Sequence, residues 1–181
     1  MLLAAAGVPA ETCPADLDER GLEAKANLQS AGAVAVLLAR EKAMAAAQLR
    51  PGRLTLGADQ TLALGAKRFA KPADRTAARA QLRALRGHSH ELHSAIVFVQ
   101  DGEVLYEYVG VARMMMRAFS DEFLETYLDA IGEDVTTTVG VYQIERLGIQ
   151  LFDRIEGDYF TVLGLPLTEA LAFLRRRGCL V

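Results

Sequence analysis

The sequence contains few cysteines, no long apolar run and no excess of basic residues. Only two cysteines occur among its 181 residues, Cys13 and Cys179, without CxxC spacing, and we expect them to be unpaired thiols in a reducing cytoplasm. The longest apolar run, residues 31–39, is far too short to span a membrane, and residues 1–6 lack the basic segment of a signal peptide. The sequence therefore predicts a cytoplasmic protein with no membrane partner.

The charge balance and the missing motifs exclude further classes of protein. The chain has 20 Lys and Arg against 23 Asp and Glu, a formal net charge of −3, which does not suggest the basic face of a nucleic-acid-binding protein. It has no P-loop, no GxGxxG fingerprint and no GxSxG nucleophile elbow, so covalent catalysis by Ser or Cys is unsupported. A local cluster of lysines with Mg²⁺ can still bind a small polyanion in a mildly acidic protein.

Helical and strand patterns alternate along the chain, with one hairpin in the middle. This order predicts an α/β fold with a mixed twisted sheet flanked by helices. No internal repeat or interdomain linker interrupts it, so we expect a single domain over residues 1–181. Asp101-Gly102 is typical of a type I′ turn, and the β-branched run 135–139 is expected to be extended. After a helix ending at Gly7, the expected helices cover 31–49, 74–86, 120–129 and 166–177, and the expected strands cover 53–64, 90–99, 103–111 and 112–118.

Asp59 is the best single candidate for a catalytic residue. It lies where the apolar alternation of a predicted strand ends, and ligands of open α/β sheets bind beyond the carboxyl ends of strands. A carboxylate at such a place can bind Mg²⁺, orient water or act as a general base. Taken alone, an Asp after a Gly-Ala pair is more often a plain turn residue.

Two lysines and three histidines are weaker candidates. Lys71 precedes a proline, which favours extended backbone just before a helix, where a lysine can meet a phosphate; alone, it would be a solvated loop residue. Lys42 by itself is an ordinary helix residue. His88 and His90 would share one strand face and His93 the other, so hydrogen-bonding or surface roles are favoured over a metal site.

A glycine-rich segment, residues 140–148, carries Glu145. Glycine allows close approach of the backbone to a ligand, and a glutamate there can hydrogen-bond the edge of a base. The alternative is a tight structural connection without a ligand. Met114, Met115 and Met116 are expected in a core or an interface.

Taken together and in order, these motifs resemble the Maf family of nucleotide pyrophosphatases. The motifs are Gly57-Ala58-Asp59-Gln60, Lys71-Pro72, Gly87-x-x-His90, IEGD at 155–158 and GLPL at 164–167. The resemblance covers nearly the whole chain. It implies a Maf/inosine triphosphatase-like fold with a smaller hairpin lobe that forms a cleft. It also implies hydrolysis of a nucleoside triphosphate to a monophosphate and pyrophosphate, Mg²⁺ or Mn²⁺ as cofactor, and a homodimer.

The same resemblance assigns roles to individual residues. Asp59 matches the general base and, with Glu19, a metal ligand. Lys42 and Lys71 match lysines that face phosphates. The substrate-binding residues that the resemblance implies are Glu19, Lys42, Gln60, Lys71 and Glu145. Gln60 and Glu145 match positions tied to base specificity and are similar to the 7-methyl-GTP pyrophosphatase branch.

The sequence departs from the family pattern in two places. Family members begin with a strand and a Ser-x-Ser-x-x-Arg-Arg segment, and this chain is expected to lack that strand and its phosphate-binding loop. Arg146 stands where the family often has glycine. The missing segment leaves open a catalytically impaired relative that binds nucleotides. The family's link to division inhibition leaves open a division-associated regulatory protein.

Overall fold

The computed structural model describes residues 2–14 and 16–180. The expected single domain over 1–181 also includes Met1, Ala15 and Val181, which lie outside the described residues. The chain divides into two compact units: unit 1 comprises residues up to 60, 93–110 and those from 158 onward, and unit 2 comprises 61–92 and 111–157. No helix within the described ranges is long and apolar enough to cross a membrane.

Twelve helices and strands, together with three short 3₁₀ turns, make up the described fold. The helices are α1 (Leu2–Ala5), α2 (Glu19–Ala26), α3 (Ala31–Leu49), α4 (Arg75–Leu85), α5 (Asp121–Ile131), α6 (Tyr159–Val162) and α7 (Leu167–Arg176). The strands are β1 (Thr55–Leu64), β2 (Lys67–Phe69), β3 (Ser89–Gln100), β4 (Glu103–Met116) and β5 (Phe152–Glu156). Strands β1, β3 and β4 contribute residues to both units.

The strands form one sheet in the order β2-β1-β3-β4-β5. In unit 2, β1 pairs antiparallel with β2 and β4 pairs antiparallel with β5. In unit 1, β3 and β4 are joined at Asp101 and Gly102, whose φ angles of 50° and 82° are both positive, as a type I′ turn requires. The α/β class, with helices flanking the sheet, is confirmed, and so is the predicted turn.

Helix caps set the ends of the predicted helices. The side chain of Asp74 accepts a hydrogen bond from the Ala77 amide at 2.8 Å at the start of α4, and Ser120 accepts one from Phe123 at 3.1 Å at the start of α5. Ser30 caps α3 in the same way. The four long helices expected from periodicity are therefore confirmed, with ends within about two residues of those predicted.

Two expected elements were wrong. Residues 112–118 do not form a further strand, because β4 continues without a break to Met116. Within the 135–139 run, residues up to Thr136 belong to a 3₁₀ turn, Gly132–Thr136, and are not extended. The amide and hydroxyl of Thr137 both donate to the Asp134 carbonyl, at 3.1 and 2.8 Å, and such local bonds outweigh the β preference of branched residues.

Small residues let α3 lie close to the sheet in unit 1. Four alanines of α3, at 35, 39, 43 and 47, pack against Ala95, Val97 and Val99 of β3. On the strand beside them, a Cβ placed on Gly57 would stand 1.9 Å from the Ala39 carbonyl oxygen, so only glycine fits. The close approach of α3 to β1 positions the candidate site.

Candidate active site

Asp59 lies inside β1 and not at its carboxyl end. The strand continues to Leu64, in agreement with the expected strand 53–64, so Asp59 does not lie beyond a strand end, and the argument that placed a ligand there for that reason was wrong. The polar stretch Asp59-Gln60 interrupts the apolar alternation without ending the strand, because β2 pairs with the residues beyond it. The Asp59 side chain is only 12% exposed.

Helix α3 places a lysine against this carboxylate. Lys42 Nζ donates to Asp59 Oδ1 at 2.6 Å. The geometry follows from local packing: Gly57 admits the helix backbone, and the Thr55 hydroxyl lies 3.0 Å from both the Ala43 and Val99 carbonyl oxygens, which share its one hydrogen. Thr55 thereby fixes β1 against α3 at the residue next to Lys42.

Glu19 completes a three-residue cluster. It is the first residue of α2, whose N-terminus is capped by Asp18 through a 2.9 Å hydrogen bond from the Gly21 amide. Its Oε1 lies 2.9 Å from Lys42 Nζ, so one ammonium holds two carboxylates. The structure therefore brings Glu19, Lys42 and Asp59 together, as the resemblance implied they would be at a site.

The electrostatics of the pair make Asp59 harder to ionise and Lys42 easier to protonate. Burial raises the pKa of Asp59, and the hydrogen bond from Lys42 offsets this only in part. Burial alone lowers the pKa of Lys42, but the hydrogen bonds to Asp59 and Glu19 outweigh it and raise the pKa above its usual value. Burial dominates the pKa of Asp59, whereas hydrogen bonds and charges together dominate that of Lys42, because the Lys42 side chain is 29% exposed and less desolvated.

The Asp59 carboxyl therefore has the character of a base. A carboxylate whose pKa lies above its usual range accepts a proton more readily near neutral pH than an ordinary aspartate does. Shifted carboxyl groups beside a specific charged partner are found at functional sites. The adjacent ammonium can also attract a phosphate oxygen.

The donor set fits a small divalent cation that is shared with a substrate. Within residues 2–14 and 16–180, no group of three or more His, Cys, Asp or Glu side chains could hold a metal by itself. Mg²⁺, however, is usually held by only one or two protein carboxylates together with substrate phosphates and water. Glu19 and Asp59, which converge on one nitrogen, provide that number.

Gln60 is tied to the fold through its amide nitrogen. Nε2 lies 2.8 Å from Ser94 Oγ and within 3.1 Å of the Thr161 and Val162 carbonyl oxygens. Two N–H groups serve these three acceptors, so the nitrogen has no donor left for a ligand. A contact from Gln60 to a base would therefore use its Oε1 as an acceptor.

A cavity of about 600 Å³ opens beside Lys42 in unit 1. Leu54 and residues 55–58 of β1 line it together with apolar side chains, and the charged residues in its wall are Glu11, Lys42, Arg50 and Arg53. Its volume is within the usual range of small-molecule pockets.

Lys71 and Glu145 both belong to unit 2, and both are exposed. The carbonyl of Ala70, next to Lys71, accepts a 2.6 Å hydrogen bond from Gln81 of α4. Glu145 lies between two 3₁₀ turns, and its neighbour Arg146 binds Asp134 at 3.2 Å. Sequence reasoning missed Gln81, because a glutamine on the polar side of an amphipathic helix carries no motif.

Comparison with known proteins decides the family. A family model described as Maf-like protein matches residues 1–177. The chain belongs to the Maf family. The resemblance inferred from the ordered motifs is thus confirmed over nearly the whole chain.

Individual relatives are identical to this chain at about half of the aligned positions. A nucleoside triphosphate pyrophosphatase of Rhodopseudomonas palustris is 54% identical over 99% of this chain and 89% of its own length. One of Bradyrhizobium diazoefficiens is 56% identical over 97% of this chain and 87% of its length. A 7-methyl-GTP pyrophosphatase of Mesorhizobium japonicum is 50% identical over 99% of this chain and 91% of its length.

Proposed function

We propose that this chain is a nucleoside triphosphate pyrophosphatase, which hydrolyses its substrate to a nucleoside monophosphate and pyrophosphate. The observation that carries the proposal is the part-buried Asp59 carboxyl in a Maf-family chain, held with Glu19 by the single ammonium of Lys42. Two carboxylates and a lysine are the groups that phosphoryl transfer needs: a base, cation ligands and a positive charge.

Asp59 acts as the general base in this proposal. Its carboxylate accepts a proton from a water molecule whose oxygen attacks the α-phosphorus. A new bond forms between the water oxygen and the α-phosphorus, and the bond from that phosphorus to the bridging oxygen breaks. Pyrophosphate leaves with the electron pair, and the proton stays on Asp59 until it is lost to solvent.

Lys42 supplies positive charge where negative charge develops. Its raised pKa keeps the ammonium protonated throughout the neutral range. An ammonium with three N–H groups can keep Asp59 oriented and still donate to a phosphate oxygen. Preorganised donors of this kind stabilise the transition state of phosphoryl transfer, in which charge spreads over the phosphate oxygens.

Mg²⁺ or Mn²⁺, when bound by Asp59 and Glu19, would neutralise charge on the triphosphate. Lys71 binds phosphate in this proposal, and Gln60 and Glu145 contact the base. Because Gln60 and Glu145 resemble the 7-methyl-GTP branch, we propose 7-methyl-GTP as a substrate alongside the standard nucleotides.

The test is release of pyrophosphate from a nucleotide panel with Mg²⁺. The panel contains 7-methyl-GTP and the standard ribo- and deoxyribonucleoside triphosphates. Asp59→Asn keeps the size of the side chain and removes the base, so we expect a loss of at least about 100-fold, the usual worth of a general base. Asp153→Asn, at an exposed aspartate, is the matched control and should keep full activity. Equal release by wild type and Asp59→Asn would overturn the proposal; a folded chain without release would favour the impaired relative.

A further inference from the structure

The loop that carries Glu145 contains a strained backbone position. Val141 has a φ of +65°, in the left-handed region, although it is β-branched. Gly140 before it also has a positive φ, of 79°. A valine in this region costs free energy and persists only where its surroundings hold it in place. Such positions cluster at ligand clamps and active sites.

Two side chains from different helices hold this strained segment. Tyr127 of α5 donates its hydroxyl to the Val141 carbonyl at 2.9 Å, in a buried setting. The Oε1 of Gln81, on α4, accepts a hydrogen bond from the Gly140 amide at 3.3 Å. Both partners are backbone groups, so these contacts determine the path of the chain and not merely the position of a side chain.

A third anchor lies one residue further along. His90 Nε2 and Tyr142 Oη share a hydrogen bond of 2.7 Å, and His90 is only 1% exposed. The rings of His90 and Tyr142 both contact Phe152. Three consecutive residues, 140–142, are thus fixed from α4, α5 and β3, and the last of them lies three positions before Glu145.

Gln81 also reaches in the opposite direction. Its Oε1 accepts a hydrogen bond from the Gly140 amide, and its Nε2 donates one to the Ala70 carbonyl at 2.6 Å. Ala70 is bonded to Lys71. One amide side chain therefore joins the backbone that presents Lys71 to the backbone of the loop that presents Glu145.

We propose that Gln81 and Tyr127 are positioning residues for substrate recognition: Tyr127 fixes the loop of Glu145, and Gln81 fixes that loop together with the segment of Lys71. The inference rests on the proposed function. On this inference, the position of the anchored loop determines which nucleotide base is preferred. A strained backbone that lost an anchor would relax and move Glu145. Neither residue contacts the reacting atoms, and neither is a catalytic residue.

Three variants test this assignment. Tyr127→Phe removes one hydroxyl from the loop. Gln81→Met keeps the length of the side chain and removes both of its hydrogen bonds. Tyr106→Phe is the matched control, because it removes a part-buried hydroxyl that donates a hydrogen bond to Glu169 in unit 1.

The readouts are amide exchange of residues 138–146 and kcat and KM for nucleotides with different bases. Tyr127→Phe should speed loop exchange and lower the ratio of kcat/KM between preferred and disfavoured bases by about five-fold, the factor for one net hydrogen bond. Gln81→Met should do the same and, in addition, raise KM for every nucleotide, because Lys71 also loses its support. In both variants kcat for the preferred nucleotide should stay within about two-fold, since binding energy and not transition-state stabilisation is lost.

The possible failures are distinguishable. If pyrophosphate release is intact and both variants keep the wild-type ratio of kcat/KM between preferred and disfavoured bases, only the positioning role is overturned. Unchanged loop exchange would overturn it as well, and this readout needs no turnover. Absence of pyrophosphate release by the wild type would overturn the proposed function and, with it, the role assigned to these residues.

Discussion

Lowering the pH from about 7 to about 5 is expected to destabilise the fold through His90. Burial lowers the pKa of this imidazole from 6.5 to about 4. The folded chain then keeps His90 neutral where the unfolded chain protonates it, so the unfolded state binds more protons. The contribution of His90 to the free energy of unfolding is therefore fully present above the unfolded pKa of 6.5. It is lost as the pH falls from 6.5 towards 4, and below pH 4 this group causes no further change.

The size of the effect follows from the shift. A fall from 6.5 to about 4 corresponds to about 3 kcal/mol in all, of which about 2 kcal/mol is lost between pH 7 and pH 5. The side chain is 1% exposed, so solvent does not screen the penalty. One of its ring nitrogens, Nδ1, has no hydrogen-bond partner among the described residues, so nothing there compensates a charge.

Urea unfolding at the two pH values measures this loss. Wild type should lose about 2 kcal/mol more than His90→Gln between them, whatever the absolute stability of the variant. His88→Gln, at an exposed histidine, is the control and should behave like wild type. If His90→Gln retained the full pH dependence, the reasoning would be refuted. Should that variant not fold, an NMR titration of wild-type His90 with a midpoint near 6.5 would refute it equally.

The remaining predictions concern helix α3 and its contacts with β1. Gly57→Ala should lower the free energy of unfolding by about 3 kcal/mol and reduce activity, because the new methyl group meets the Ala39 carbonyl. Thermal unfolding measures this loss, and an unchanged stability would contradict the close packing of α3 on β1. Gly32→Ala, in helix α3, places the new methyl group no nearer than 3.4 Å to any neighbour and should instead stabilise by up to about 1 kcal/mol. Lys42→Met removes a hydrogen bond that lowers the pKa of Asp59, so the acid limb of the kcat/KM profile should move to higher pH; a limb at the same pH would argue against Asp59 as the base.

The parts of the fold that periodicity and caps specify were predictable from the sequence. Helices α3, α4 and α5 have an apolar stripe or an alanine-rich surface and a side-chain cap, which are local signals. Helix α2 was missed because it has no buried residue and thus no stripe; its cap at Asp18 and the left-handed Asn27 at its end define it instead. The short strands β2 and β5 offer too few residues for a period to show.

The cluster of Glu19, Lys42 and Asp59 could not be derived from spacing. These residues lie on a short helix, a long helix and a strand, and they meet only because Gly57 lets α3 approach β1. The strand pattern singled out Asp59, and only the family resemblance added Glu19 and Lys42. Gln81 had no such signal, and its two hydrogen bonds to distant backbone groups become visible only in the structure.

Hydrolysis in ¹⁸O-labelled water tests the central claim most directly. Water that attacks the α-phosphorus places the label in the nucleoside monophosphate and leaves pyrophosphate unlabelled, which mass spectrometry of both products measures. We predict that result for wild type and no labelled monophosphate from Asp59→Asn. Label in pyrophosphate, or a nucleoside diphosphate with labelled phosphate, would contradict attack at the α-phosphorus, and labelled monophosphate from Asp59→Asn at the wild-type rate would contradict the role of Asp59.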